Sequence, residues 1–534
     1  MSFVFNDAST QQLSFLDSYN SLTEREKRFL EKSWAKPFSD YIFSNIDEMI
    51  FAPLYSEKTN SRPNAPVNVI VGALILKELN GLTDDEILEE CECDFRYQYA
   101  LHTTSYENQP VSDRTFSRFR ERNAAYELVT GKDLIHDCIV SLSEHIRQFM
   151  GISLGIKRMD SMMIEANIKR MGRLELLYTC LSNLVKTISR DGILVLPERF
   201  GAYADPGNRN KVVYYAKDIP QEQRLQKVID DATRLLPLCR ESYGDTTDYQ
   251  LLMRAVSEQT KDGGNGRRVP KGKGDGMTAS VLQNPSDPDA TYRDKAGKAH
   301  RGYSANLTEA VSEKGSVVID YQYDANTKSD PSFLQDYMEK QDEMQGASVL
   351  ITDGAYSGDN SQASASRKNI TLLTTGLLGR KPRKILSEFR LNKEETAVLS
   401  CPAGHTPKSC SYIRQSDSFR VSFHRADCMN CPRREECRPA VKERTAVKII
   451  SLKSRRKLAS NTLDEETRAL IGRIRNGVET VPSVIRNKYG VDQMPVRGKL
   501  RTKQFFGFKV AALNFTKLVR SLEGKEKCRA FLPA

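Results

Sequence analysis

The chain has 534 residues, of which 39% are hydrophobic and 28% charged, with a formal net charge of +11. That is too long for one compact core and implies about two to four domains. A mean hydropathy of -0.52, with no window near the roughly 18 apolar residues a bilayer span requires, excludes a membrane protein of helical spans. The opening MSFVFNDASTQQLSFL lacks a basic segment followed by an apolar one, so no secretory signal is read and a cytoplasmic protein is expected. Eleven cysteines, odd in number and unevenly spread, argue against a disulfide framework in such a compartment and raise the question of metal binding.

Residues 1–150 read as helical. The run VNVIVGALILKELNG predicts an apolar helix ending near Gly81, and Thr83 with Glu86 predicts a capping box opening the next. In QPVSDRTFSRFRERN, Pro110 breaks the chain and Ser112 or Asp113 caps a helix. Phe116 and Phe119 face inward, while Arg114, Arg118 and Arg122 recur every fourth residue on another face. Arginines in that pattern suit phosphates and guanine edges, and a solvated charged face is the competing reading.

From Gly151 the pattern becomes a strand, GISLGIKRMDSMMIEAN, carrying Asp160. Residues 167–255 return to amphipathic helices, and KDGGNGRRVPKGKGDG (261–276) reads as a mobile basic loop, since no strand before it and no helix after it support a phosphate loop. Two alternating strands (HRGYSANLTEAV, GSVVIDYQYDA) and a helix (DPSFLQDYMEKQDEM) follow. In GASVLITDGAYSGDN the run Val349, Leu350, Ile351 is a buried strand that ends on Asp353, with Gly354 and Gly358 marking the turn. The C-terminal edge of such a strand is where open α/β sheets bind ligands, although an acid there also serves as a simple turn cap.

Cysteines then cluster. Cys428 and Cys431 form a C-x2-C, Cys437 follows, and Cys401 or Cys410 supplies a fourth sulfur for a structural zinc site, with His405 or His424 as substitutes. Cys91, Cys138 and Cys180 fall in apolar helical patterns and read as core. The segment LDEETRALIGRIRNGVETVPSVIRNKYG carries a helical stripe of Leu470, Ile471, Ile474, Val478, Val481 and Ile485. Arg475 and Glu479 stand one turn apart beside it, and Pro482 kinks or restarts the helix. From Val481 to Ala534 there are twelve basic residues (positions 486, 488, 497, 499, 501, 503, 509, 517, 520, 525, 527 and 529) against the acids 492, 523 and 526, a net of +9. A basic surface of this density suits nucleic acid, or is a solvated tail.

Together RMDSMMIEAN, ITDGAYSG, RNGVETVPSVIR and VRGKLRTKQFFGFKVAALNFTKL resemble a DDE transposase of a bacterial insertion sequence. The likeness is to the superfamily whose third acid lies in a Tyr-x2-Arg-x3-Glu-x6-Lys motif, in its subgroup with a helical N-terminal domain and a cysteine cluster. The resemblance implies an α/β ribonuclease-H-like catalytic core with a helical N-terminal DNA-binding domain (1–150), a first core part (151–400) with a helical insertion at about 168–280, a Cys-rich zinc-type insertion (401–445), and a glutamate helix with a basic DNA-binding tail (446–534). Asp160, Asp353 and Glu479 are the implied catalytic triad, with Asp160 bridging two Mg2+ or Mn2+ ions and the other two acids each holding one. Zn2+ is expected on Cys401, Cys428, Cys431 and Cys437. Arg475 matches the motif arginine, whereas Gly472 replaces the tyrosine and Arg486 the lysine.

Two-metal phosphodiester chemistry asks for such carboxylates independently, because it needs an activated oxygen nucleophile and a stabilised leaving oxyanion. The expected activity is binding of terminal inverted repeats, cleavage and strand transfer on double-stranded DNA by a homodimer at the nucleoid. Arg114, Arg118, Arg122, Arg475, Arg486, Lys488, Arg497, Lys499, Arg501 and Lys503 are the expected DNA contacts. The competing functions are a catalytically silent DNA-binding protein or repressor, and a nuclease that cuts without joining.

Overall fold

The computed structural model describes residues 1–6, 17–56, 62–105, 111–215, 218–272, 274–295, 297–343, 346, 348–375, 382–392, 396–459 and 465–525. Pro110, Lys273, Lys527 and Arg529 of the sequence reading lie outside them. Two compact units emerge, Met1–Thr374 with Ile474–Ala534, and Thr375–Arg473.

The larger unit is organised by a mixed sheet of β1 (Ile156–Glu165), β2 (Lys298–Ser312), β3 (Gly315–Ala325), β4 (Ser348–Asp353) and β5 (Ile370–Thr375). Its order is β3-β2-β1-β4-β5, with the short strand Thr291–Lys295 paired to the start of β2. β1 runs antiparallel to β2 and parallel to β4, and β2 runs antiparallel to β3. Helices Asp330–Lys340 and Asp359–Ser366 connect β3 to β4 and β4 to β5. Their apolar residues join Met159, Leu350, Tyr356, Ile370 and Leu372 in a core on one face.

The other face is covered by helices from both ends of the sequence. Val67–Asn80 ends at Gly81 in the left-handed region, φ 70°, and the Thr83–Glu86 capping box opens Asp84–Cys93, as the sequence predicts. Phe116, Phe119, Cys91 and Cys138 are buried in them, while Cys180 is buried in the separate helical core between β1 and β2. The covering helices share a single core with Met162, Ile164 and the helix Lys499–Leu522.

That last helix revises the picture of a basic tail. Phe505, Phe506, Phe508, Val510, Leu513, Phe515 and Leu518 are buried along it, and its lysines turn inward to acids. Lys509 pairs with Glu78, Lys517 with Glu309 at 2.7 Å, and Lys503 with Glu127 and with Asp133 at 2.8 Å. Gly507 allows the close approach to β3, because a Cβ there would lie 2.3 Å from the Tyr321 hydroxyl oxygen. Asn514 closes an irregularity in β3: the pairing shifts after Thr308, and the Asn514 side chain accepts from Val318 N at 3.0 Å and donates to Val318 O at 2.8 Å. Both backbone groups of Val318, beside the irregularity, are thus hydrogen-bonded by a side chain.

Between β1 and β2, helices Arg173–Asp191, Gln221–Tyr243 and Thr247–Gln259 enclose a separate core. The segment expected as a mobile basic loop is partly ordered, since Thr260–Asp262 pairs with Arg268–Pro270 as a short hairpin. No helix among the described residues is long and apolar enough to cross a membrane.

The smaller unit holds a four-stranded antiparallel sheet, Ser409–Ile413, Ser418–His424, Thr445–Ser451 and Ala440–Val441. Among the described residues its core gathers Phe389, Val398, Phe419, Val421, Phe423, Ile450 and Leu452, with Ile385 and Ala446 also buried, few for a unit of this size.

Candidate active site

The parallel ladder between β1 and β4 pairs Ile156 with Val349, Lys157 with Leu350 and Arg158 with Ile351. Two residues further along each strand stand Asp160 and Asp353, level with each other and on one face. Both are half-buried. Burial first, and the neighbouring Asp353 second, push the Asp160 carboxyl up to about 6, against the opposing influence of Arg475 and Lys295. One Asp160 oxygen accepts from Ser161 N at 2.8 Å.

Asp353 does cap its turn, since Oδ1 accepts from Ala355 N at 2.8 Å; that bond engages only one of its two oxygens. The turn is anchored by Tyr356, fully buried, whose hydroxyl donates to Asn306 Oδ1 on β2 at 2.6 Å.

Glu479 lies between helices Glu465–Val478 and Thr480–Asn487, the restart that Pro482 predicts. Its side chain is 65% exposed and accepts from Arg475 Nη1 at 2.9 Å, while the Arg475 side chain is 7% exposed. Arg475 is thus the buried cation beside both Glu479 and Asp160. Among the described residues, no set of three or more His, Cys, Asp or Glu side chains is drawn together tightly enough to hold a metal ion.

The expected DNA contacts divide by their partners. Arg118 and Arg501 are exposed, as is Arg114, and Arg122 lies over the Tyr55 ring at 5.2 Å. Lys488 donates to Thr516 Oγ1 at 3.3 Å and Arg497 to Asn167 O at 2.7 Å. Others are committed to the protein: Arg475 to Glu479, Arg486 to Asp492 and Met163 O (both 2.6 Å), Lys499 to Asp324 (3.2 Å), and Lys503 to its two acids. Lys499 and Lys503 meet acids from distant segments, which local spacing does not reveal, whereas Arg475 and Arg486 pair with acids close by in the chain. The sequence reading passed over Lys295 and Lys298, exposed cations on the hairpin that begins β2. The available signal was the sequence DKAGK at 294–298, polar and glycine-bearing between two strand patterns; Gly297 takes φ 78°.

In the smaller unit Cys401, Cys428, Cys431 and Cys437 line one cavity of about 20 Å3, together with His405 and Asp427. Cys410 is not among the lining residues; it sits in a strand opposite Val421. The described cysteines are free thiols. Burial, then the Cys437, Cys401 and Cys431 thiols beside it, raise the Cys428 thiol to about 11.

Two family models match the chain. One, described as "Transposase DDE domain", covers residues 400–519, which include the cysteine group, Glu479 and most of the C-terminal helix. The other, described as "Transposase domain (DUF772)", covers residues 25–122, including Arg114, Arg118 and Arg122. Asp160 and Asp353 lie between the two matches. No curated protein and no solved structure matches the chain.

Proposed function

We propose that the chain is a DDE transposase of an insertion sequence, as its matches to two transposase family models support, with Asp160, Asp353 and Glu479 as catalytic carboxylates on a ribonuclease-H-like core that cuts transposon ends and joins their 3′ hydroxyls to target DNA. The observation that carries this reading is the level placement of Asp160 and Asp353 at the end of the β1–β4 ladder. The strand order β3-β2-β1-β4-β5, antiparallel at β2 and parallel at β4, supports the core assignment.

Two half-buried acids side by side suit Mg2+ or Mn2+, which takes one or two carboxylates and completes its shell with phosphate oxygens and water. Asp160 and Asp353 would hold the ion, with Glu479 joining them once its carboxylate leaves Arg475. When bound, such ions activate the attacking oxygen and stabilise the leaving one. The residues of the chain do the rest. Tyr356 and the Ala355 amide orient Asp353, the Ser161 amide orients Asp160, and Arg475 holds Glu479 in reserve beside them. Arg114, Arg118, Arg122, Arg501, Lys295 and Lys298 are the cations proposed to take DNA phosphates, with a homodimer pairing the two ends.

The four thiols line one cavity without standing close enough to ligate a metal; drawn together, they would hold one tetrahedral Zn2+ that staples the small core of the cysteine unit.

The test is Mg2+-dependent cleavage of labelled DNA carrying the terminal inverted repeats, comparing wild type with Asp353→Ala. Cutting at the repeat boundary by wild type alone, with DNA binding retained in the variant, is the expected result. Binding without cutting by both, in Mg2+ and in Mn2+, would replace it with a silent DNA-binding protein.

A further inference from the structure

Two residues before Asp160 on the same face of β1, Arg158 is buried at 3% exposure. Its Nε donates to Glu309 Oε2 at 2.7 Å, directly opposite on β2. Lys517 Nζ, from the C-terminal helix, donates to Glu309 Oε1 at 2.7 Å, and Ser316 Oγ donates to the same oxygen at 3.0 Å. Burial alone would raise the Glu309 carboxyl, yet Arg158 and Lys517 hold it down to about 2. One carboxylate faces two cations here, so the trio keeps one positive charge over and the arginine has a further use.

That use is visible in its other nitrogen. Arg158 Nη1 donates to the Ile474 carbonyl at 3.0 Å, in the helix that leads to Glu479. One turn on, Gly477 faces the same guanidinium, where a Cβ would stand 2.3 Å from Nη1 and 3.3 Å from Cζ. The helix backbone rests on the arginine, and a side chain at 477 would have to push the guanidinium out of its seat. Arginine suits this place because its rigid fork reaches two partners in different directions, which an ammonium does not. Buried ion networks are poor stabilisers compared with apolar packing, so orientation is the better account of this one.

We infer that Arg158, seated by Glu309 and Lys517, is a positioning residue that fixes the Ile474–Glu479 segment against the strand of Asp160, and that Gly477 is the seat this contact requires. The inference rests on the proposed reading that Asp160 and Glu479 serve one carboxylate site.

The experiment uses the full chain with an inverted-repeat DNA end. Gly477→Ala crowds the guanidinium, and Arg158→Lys keeps a charge for Glu309 but loses the fork. Cleavage rate, KM for DNA, thermal midpoint and Mn2+ affinity by electron paramagnetic resonance are read for each. Expected is a loss of about 100-fold in kcat, the scale of a misplacement near 1 Å, with KM within twofold. Mn2+ affinity should fall several-fold in either variant and fall no further when either is combined with Glu479→Gln. Cleavage within twofold of wild type in both variants overturns the inference, and so does a Mn2+ loss that adds in full to that of Glu479→Gln. If Asp353→Ala and Glu479→Gln themselves cleave and bind Mn2+ as wild type, the inference falls through the carboxylate reading rather than through the network.

Discussion

Replacing Asp160 by Asn should make the metal-free protein more stable at neutral pH. The carboxyl is raised from 3.8 to about 6, first by burial and then by Asp353. The native state therefore holds a proton between about pH 4 and pH 6 that the unfolded chain has released, so stability falls as pH rises through that window. Above it the full cost of burying the ionised group remains, about 2 pKa units or about 3 kcal/mol as an upper bound. Asn keeps the oxygen that accepts from Ser161 N at 2.8 Å and cannot ionise. Calorimetry without divalent ions, run at pH 4 and pH 7.5, is the assay. The expected variant unfolds a few degrees higher at pH 7.5 and equally at pH 4. An equal gain at both pH values, or a loss at pH 7.5, would refute the reasoning, because neither follows from a titrating buried acid.

Asn514→Ala removes a side chain bonded to both backbone groups of Val318, and leaving two buried polar groups unpaired should cost about 2–5 kcal/mol in urea unfolding; a change below about 1 kcal/mol would show that water replaces the side chain. Arg118→Gln should lower the slope of log K against log salt for DNA by about 0.9. Lys503→Gln should leave that slope alone while lowering the thermal midpoint, since Glu127 and Asp133 lose their shared cation; an equal slope change in both would make Lys503 a DNA contact after all. Protein purified with zinc should carry one ion per chain, lost in Cys428→Ala and kept in Cys410→Ala; metal content that ignores Cys428 would sink the four-thiol site.

The sequence by itself determined the local units: the helix ending at Gly81, the capping box at Thr83, the inward Phe116 and Phe119, the strand ending on Asp353 and the helix broken around Glu479. Each follows from side-chain periodicity or backbone restriction within about a dozen residues. Only the tertiary structure decided that Asp160 and Asp353 stand level, that Cys401 rather than Cys410 faces the other thiols, and that the C-terminal lysines point into the protein. Lys509 meets Glu78 and Lys517 meets Glu309 across hundreds of residues, so the net charge of the segment gave no sign of its burial. Composition counts a charge, but its environment is set by whichever distant group folding brings beside it.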